Sequence, residues 1–321
     1  PGYYYLSTTA DGCDHSYVKS YKPIKIQGDV TICLNGNQIQ KAGSTTGPVF
    51  EVPSDCTLTL TDCKVTGQIV CNDSSNGSGV YVNGGTLNLY SGQITQSYGQ
   101  KGTDSNKYGG GVYVGAGGTF NMYGGVITEN SANYGGGVYV SGTKSTFTMN
   151  GNASVSGNTA ANGGGVSVSS GTFNMNDGTI SGNTGNGVFV NGGTFTVSGE
   201  PTVTGNTGKS GREDDVSNVY LAGGDTITIG GKLDAGASIG VTKGAGGVNS
   251  VIATGANKNY SGKFFVDDNK YKVGYDETHK QLVLAEKDTS AETHTHCLCG
   301  KTHTAIGDHK TEQEVTFATE L

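Results

Sequence analysis

A short pattern of apolar residues returns six times along the middle of this chain, and any fold has to accommodate it. Tetrads of the GVYV kind stand at 79–82, 111–114, 137–140, 165–168 and 187–190, with NVYL at 218–221 as a looser sixth. Each is followed within a few residues by a tetrad of the TFNM kind, at 86–89, 119–122, 146–149, 172–175, 194–197 and 226–229. Most of these lead to a third apolar run ending in Thr or Ser, as at 126–128, 155–156, 179–181 and 203–204. Within the tetrads the apolar residues alternate: Val112 and Val114 share one side and Tyr113 takes the other, while Phe120 and Met122 oppose Thr119 and Asn121. Alternation with period two marks half-buried strands, and three strands per repeat predict a solenoid.

One such repeat buries too few side chains to offset the entropy of ordering its own backbone. Stacking supplies the rest, because neighbouring coils at roughly 4.8 Å complete each other's hydrogen-bond ladders and enclose a continuous core. Crossovers between parallel strands are overwhelmingly right-handed. The predicted fold is therefore all-β, a right-handed parallel β-helix. Ile32/Leu34 and Leu58/Leu60 fit the second-strand position, which extends the helix to about eight three-strand coils between Ile32 and Ile229. Asn recurs just after the third strand, at Asn130, Asn158, Asn183 and Asn206. An asparagine ladder satisfying buried turn backbone is the structural reading of that column.

Four segments follow from the pattern. Residues 1–28 form an N-terminal cap segment with Tyr3, Tyr4 and Tyr5 on an edge strand, and 29–241 form the β-helix. Residues 242–286 form a small C-terminal β cap, with a hairpin turning around Asp276, Glu277, Thr278 and His279; such a cap covers the sticky open end of a solenoid. Residues 287–321 comprise a linker, a Cys/His segment and an extended stretch, 314–321, read as the start of a following module. The absence of an initiator Met and of a signal segment marks the chain as an expected piece of a larger protein. A net charge of −7 disfavours nucleic acid and anionic membranes as partners, and no apolar stretch is long enough to span a bilayer.

The segments ITENSANYGGGVYV (127–140) and VSGNTAANGGGVSV (155–168) resemble the repeats of polymorphic outer-membrane and adhesin-like β-helix proteins, which have the pectin-lyase-like fold. NVYLAGGDTITIGG (218–231) and VTICLNGN (30–37) are similar to segments of the large multi-module surface proteins of Gram-positive gut anaerobes. The resemblance covers most of the chain. It implies an extracellular, cell-surface location, tandem modules in the parent protein, and a monomeric rod acting as adhesin or spacer toward a host or microbial glycan or protein.

The best-known enzymes of this fold cleave polysaccharides, and such chemistry needs clustered carboxylates with a base, or paired acids. Between Gly79 and Gly205 the carboxylates are Asp104, Glu129, Asp177 and Glu200, which fall at different positions of their coils and are not expected to share a face. Glu213, Asp214 and Asp215 form the one dense acidic group, in a loop. The chain is accordingly read as non-catalytic, with a carbohydrate-binding or polysaccharide-cleaving protein as the alternative.

Loop length singles out one corner. Only the turn from the third strand to the first varies, from sixteen residues at 96–111 through nine at 129–137 and six at 182–187 to fourteen at 205–218. Long loops thus line one edge of the rod, often the binding edge of a solenoid. The first of them carries Tyr98, Lys101, Asp104, Asn106 and Tyr108, a set suited to sugars or peptides; drift in a tolerant surface corner would produce the same composition. An outward aromatic column, Tyr81, Tyr113, Tyr139, Ser167, Phe189 and Tyr220, suits sugar stacking, or else packs beneath the corner loops, with Ser167 as an interruption. As outward residues, Tyr113 and Asn121 are both expected to tolerate Ser. Cys33, Cys56, Cys63 and Cys71 read as small apolar residues of the early coils. The tail offers His294, His296, Cys297, Cys299 and His303. Three readings are open there: a structural zinc ion, a disulfide (with Cys13 as one candidate partner), or no special role.

Overall fold

The structure is a computed structural model that describes residues 2–5, 17–41, 46–71, 77–101, 106–209, 211, 215–268, 270–287, 292–295 and 302–305. The chain is a right-handed parallel β-helix. Thr119–Met122 lies in register between Thr86–Leu89 and Thr146–Met149, so that Phe120 is level with Leu87 on one side and Phe147 on the other. The same sheet runs from Gly2–Tyr5 at its edge, through Asp29–Cys33 and Thr57–Thr61, to Thr172–Met175, Thr194–Gly199, Ile227–Leu233 and Val251–Thr254. The strands expected between Ile32 and Ile229 are all present, and the stack continues one strand further at each end. First strands (Val112–Val114, Val138–Ser141, Val166–Ser169) and third strands (Val126–Thr128, Ser154–Ser156, Thr179–Ser181) pair in parallel in the same way.

The alternation decides the core. Val112, Val114, Phe120, Met122 and Ile127, one coil's inward set, are all fully buried. Equivalent residues stack coil on coil: the rings of Phe120 and Phe147 lie 4.7 Å apart, Phe147 and Phe173 4.7 Å, and Phe173 and Phe195 5.0 Å, each pair nearly parallel. At the C-terminal end the direction reverses. The hairpin of Tyr271–Asp276 and Gln281–Glu286 lays its second strand antiparallel on Val251–Thr254, with Leu282 and Leu284 buried, and so closes the open face of the stack.

The asparagine column is a hydrogen-bonded ladder and is longer than the four residues read from sequence. Asn158 Oδ1 accepts from both the backbone N–H and the Nδ2 of Asn130, each at 3.0 Å. Asn183 does the same for Asn158, Asn206 for Asn183, and Asn218 for Asn206, all within 2.9–3.1 Å. The Nδ2 groups of Asn130, Asn158, Asn183 and Asn206 each also donate to a third-strand carbonyl, as Asn158 does to Ile127 at 2.9 Å. Glycines make the room: a Cβ on Gly111, Gly137 or Gly165 would sit 3.0–3.1 Å from the ladder amide beside it and under 2.8 Å from the next coil's carbonyl oxygen. The terminal acceptor is a carboxylate. Asp267 Oδ1 accepts from Asn218 Nδ2 at 2.6 Å, and Oδ2 from Asn218 N and Thr242 Oγ1 at 2.8 Å each.

Burial pushes the Asp267 carboxyl above its ordinary range, and the three donors pull against it without prevailing. A carboxyl whose folded pKa is raised binds its proton more tightly in the fold, so its ionised form costs stability. That cost is absent below the ordinary aspartate value and complete above the raised one. Asp267→Asn should keep the ladder, because one amide oxygen can accept both Asn218 bonds as every other rung does. Its melting temperature relative to the native chain should rise as pH increases from about 4 toward neutrality. A variant that melts lower throughout that range would show that both carboxylate oxygens are required.

Candidate functional site

The variable corner and the outward aromatic column meet along one edge of the rod. In its first half the column is covered. The 96–111 loop contains a short antiparallel ribbon, Gln100–Lys101 against Lys107–Tyr108, and Tyr108 continues into a parallel bridge with Tyr134. The Tyr108 ring lies 4.9 Å from Tyr139, 5.5 Å from Tyr134 and 6.4 Å from Tyr113; Tyr113 is 5.0 Å from Tyr81 and 5.4 Å from Tyr139. Of the loop and column residues picked from sequence, Tyr108, Tyr113 and Tyr139 therefore come together. Tyr98 makes none of these ring contacts; its N–H donates to Gly77 O. Asn106 is half-buried at the start of the returning limb. Lys101 closes the outgoing limb, and Asp104 lies outside the described residues. Tyr134 was missed, although its signal was legible: KYGGGVYV (107–114) and NYGGGVYV (133–140) place a Tyr before the glycines in both repeats.

This cluster is packed rather than presented. Tyr139 is only 8% exposed. Burial, reinforced by the neighbouring phenols of Tyr81 and Tyr139, pushes the Tyr113 phenol to about 12 despite a hydrogen bond with Ser141, so it stays neutral at physiological pH.

The second half of the column is open. Beyond Ser167, itself buried, Phe189 and Tyr220 stack at 5.5 Å. Where the first half carries Tyr108 and Tyr134 before the glycines, the next coil has Asn162, bridged in parallel to Tyr134. The change from ring to amide uncovers a cleft of about 510 Å³ lined by Phe189, Tyr220, Asn162, Asn186, Asn191 and Lys209, with Asp215 and Ser217 from the 205–218 loop. Asn186 is fixed by donating to Ser217 Oγ at 2.7 Å. A stacked aromatic pair flanked by amides and one charge of each sign can hold an apolar ring face while bonding hydroxyl groups around it.

Two carboxylates expected on different faces share one. Asp177 and Glu200 each stand two residues before a third strand and line the same groove of about 600 Å³ with Asn152. Asp177 Oδ1 accepts from the Glu200 N–H at 3.1 Å, which gives that carboxylate a turn-capping role. Tyr90 and Tyr123 form a further exposed stacked pair at 4.7 Å, which the sequence reading did not single out.

In the tail, Glu292–Thr295 pairs antiparallel with Thr302–Ala305, and the register sets His294 opposite His303. His296, Cys297 and Cys299 lie in the intervening segment, outside the described residues, as do Cys13, Glu213, Asp214 and the extended stretch 314–321. Among the described residues no group of three or more His, Cys, Asp or Glu side chains is placed to hold a metal ion. No described helix is long and apolar enough to cross a membrane. In comparisons with known proteins, no family model, no curated protein and no solved structure matches the chain.

The tyrosine cluster changes the expected tolerance of the outward positions. Tyr113→Ser strips contacts with its neighbouring rings and should cost about 1–3 kcal/mol in chemical denaturation. Asn121→Ser removes mainly one bond, to Asn88 Oδ1 at 3.0 Å, and should cost less. Equal losses would mean that the cluster contributes nothing to stability.

Proposed function

We propose that this chain is a non-catalytic, rod-like module of a modular bacterial cell-surface protein, an adhesin that presents the Phe189–Tyr220 cleft to a saccharide of a host or microbial surface. The observation that carries this reading is the open aromatic pair ringed by amides on an otherwise rigid stack. Its resemblance to surface proteins of Gram-positive gut bacteria supports an extracellular location and tandem modules in the parent. The stack holds the cleft in a fixed geometry, so little ordering entropy opposes ligand capture. Neutral sugars suit the site better than nucleic acid, given the net charge of −7. In dilute solution the module is a monomer.

A polysaccharide-cleaving enzyme is the second reading, and the shared groove of Asp177 and Glu200 is the observation in its favour. The engagement of Asp177 with a backbone N–H favours the structural role.

A glycan array probed with the full chain tests both. Wild type should retain a subset of glycans intact, and Phe189→Ala with Tyr220→Ala should weaken retention about tenfold or more. Tyr98→Ala and Tyr108→Ala serve as controls on the same edge. If no glycan is retained, the module is a spacer; if retained glycans are shortened in a manner lost with Glu200→Gln, it is an enzyme.

For the tail we assign a structural zinc ion to His294, His303 and the thiols and imidazole between them (His296, Cys297, Cys299). Protein purified under reducing conditions should then carry close to one zinc equivalent, and a chelator should alter 294–309 while leaving the β-helix melting unchanged. Metal-free protein by elemental analysis would end the assignment.

A further inference from the structure

Two thiols of adjacent coils, treated in the sequence reading as apolar filler, face each other outside the core. Cys33 closes the strand Asp29–Cys33 and lies opposite Thr61 of Thr57–Thr61; Cys63 follows two residues later. Its neighbours Ile32 and Leu34 point inward, so Cys33 points outward, half-buried, while Cys63 is exposed. Both are thiols here, and their sulfurs stand 3.6 Å apart. We propose that Cys33 and Cys63 form a disulfide that staples neighbouring coils near the N-terminal end of the rod.

The surroundings hold the pair in place. Asp62, buried beside Cys63, accepts from Gly36 N at 2.6 Å and from Gly67 N at 2.7 Å, which ties the turn after Cys33 to the turn carrying Cys63. The Cys63 thiol also donates to Asn35 Oδ1 at 3.3 Å. A bonded pair of sulfurs lies about 2.05 Å apart, so closing the bond asks the two sulfurs, now 3.6 Å apart, to approach by about 1.5 Å. Cys63 stands exposed in the turn beyond Thr61, where its side chain has room to rotate toward Cys33. The other early cysteines are differently placed: Cys56 accepts from Gly28 N, and Cys71 is buried beside Gly47 O.

The chemistry is thiol–disulfide exchange with a low-molecular-weight disulfide as oxidant. The Cys33 thiolate attacks one sulfur of that disulfide and expels the first small thiolate. Cys63, giving up its proton, then attacks the Cys33 sulfur of the mixed disulfide and expels the second. One disulfide is reduced to two thiols, and one protein disulfide is gained. Cys33 suits the attacking role. Burial raises its thiol, but hydrogen bonds with Cys63, the Asn35 backbone and Thr61 outweigh burial and hold it below its ordinary value. Because the bond spans a full coil, peeling that starts from the edge strand Gly2–Tyr5 would stop there.

The full chain, oxidised with glutathione disulfide, blocked with an alkylating agent and digested with trypsin plus a protease cleaving before Asp, tests this. Residues 29–41 should be recovered joined to residues 62–64 and separate on reduction. The oxidised protein should melt about 5 °C above the reduced form. Cys33→Ser and Cys63→Ser should each abolish both the joined peptide and the redox dependence of melting. Recovery of Cys33 and Cys63 as alkylated thiols, as separate glutathione adducts, or joined to other cysteines would overturn the proposal. A joined peptide without a melting shift would overturn the stapling role.

Discussion

The asparagine ladder is the interaction on which the rest of the β-helix depends. Parallel strands saturate their own backbone, but the corners between them do not, and a buried unpaired N–H or C=O costs about 1–3 kcal/mol. Each ladder residue answers for several such groups. Asn158, for example, satisfies the Asn130 N–H and side-chain amide with its oxygen and the Ile127 carbonyl with its nitrogen. Removing one rung therefore strands groups on two coils. The ladder in turn requires glycine opposite it, since Gly111, Gly137 and Gly165 leave no space for a Cβ against the amides. Asparagine and glycine are thus one structural unit, and the abundance of glycine in this chain reflects close backbone approach rather than looseness.

Because that corner is held so tightly, the chain beyond it is free to vary, and its variation sorts the rod into two halves. Tyr108 and Tyr134 roof the column over Tyr113 and Tyr139, giving a packed aromatic cluster. One coil later the roofing position is Asn162, and the pair Phe189–Tyr220 lies open beneath amides. The same outward column thus packs as a ring cluster in one stretch and lines an open cleft in the next. The difference rests on whether a single position carries a ring or an amide.

Some features were legible from spacing alone and others were not. Phe120, Phe147, Phe173 and Phe195 recur at one place in the repeat, so their inward stack could be read directly. Asp177 and Glu200 could not be aligned by counting from the preceding strand, because Glu200 stands one residue further on. The extra residue falls between two strand pairs that stay in register, Thr172–Met175 with Thr194–Val197 and Thr179–Ser181 with Thr202–Thr204. Asp267 lies 49 residues beyond Asn218 and carries no repeat signature, so its place at the end of the ladder depended on how the C-terminal segment folds back. Cys33 and Cys63 sit at different offsets from their strands, and only the turn held by Asp62 brings their sulfurs together.

The amino-acid sequence by itself determined the right-handed parallel stack, which residues point inward, the position of the asparagine column and the edge along which loops vary. These are consequences of local alternation repeated in register, which the backbone geometry of a strand translates directly into a side-chain direction. Only the tertiary structure decided what lies beside what across coils: the tyrosine roof, the open cleft, the shared carboxylate groove, the carboxylate end of the ladder and the paired thiols. Each of those depends on how loops of unequal length close over neighbouring coils, and the path of a loop is set by contacts far apart in sequence, for which the repeat has no period.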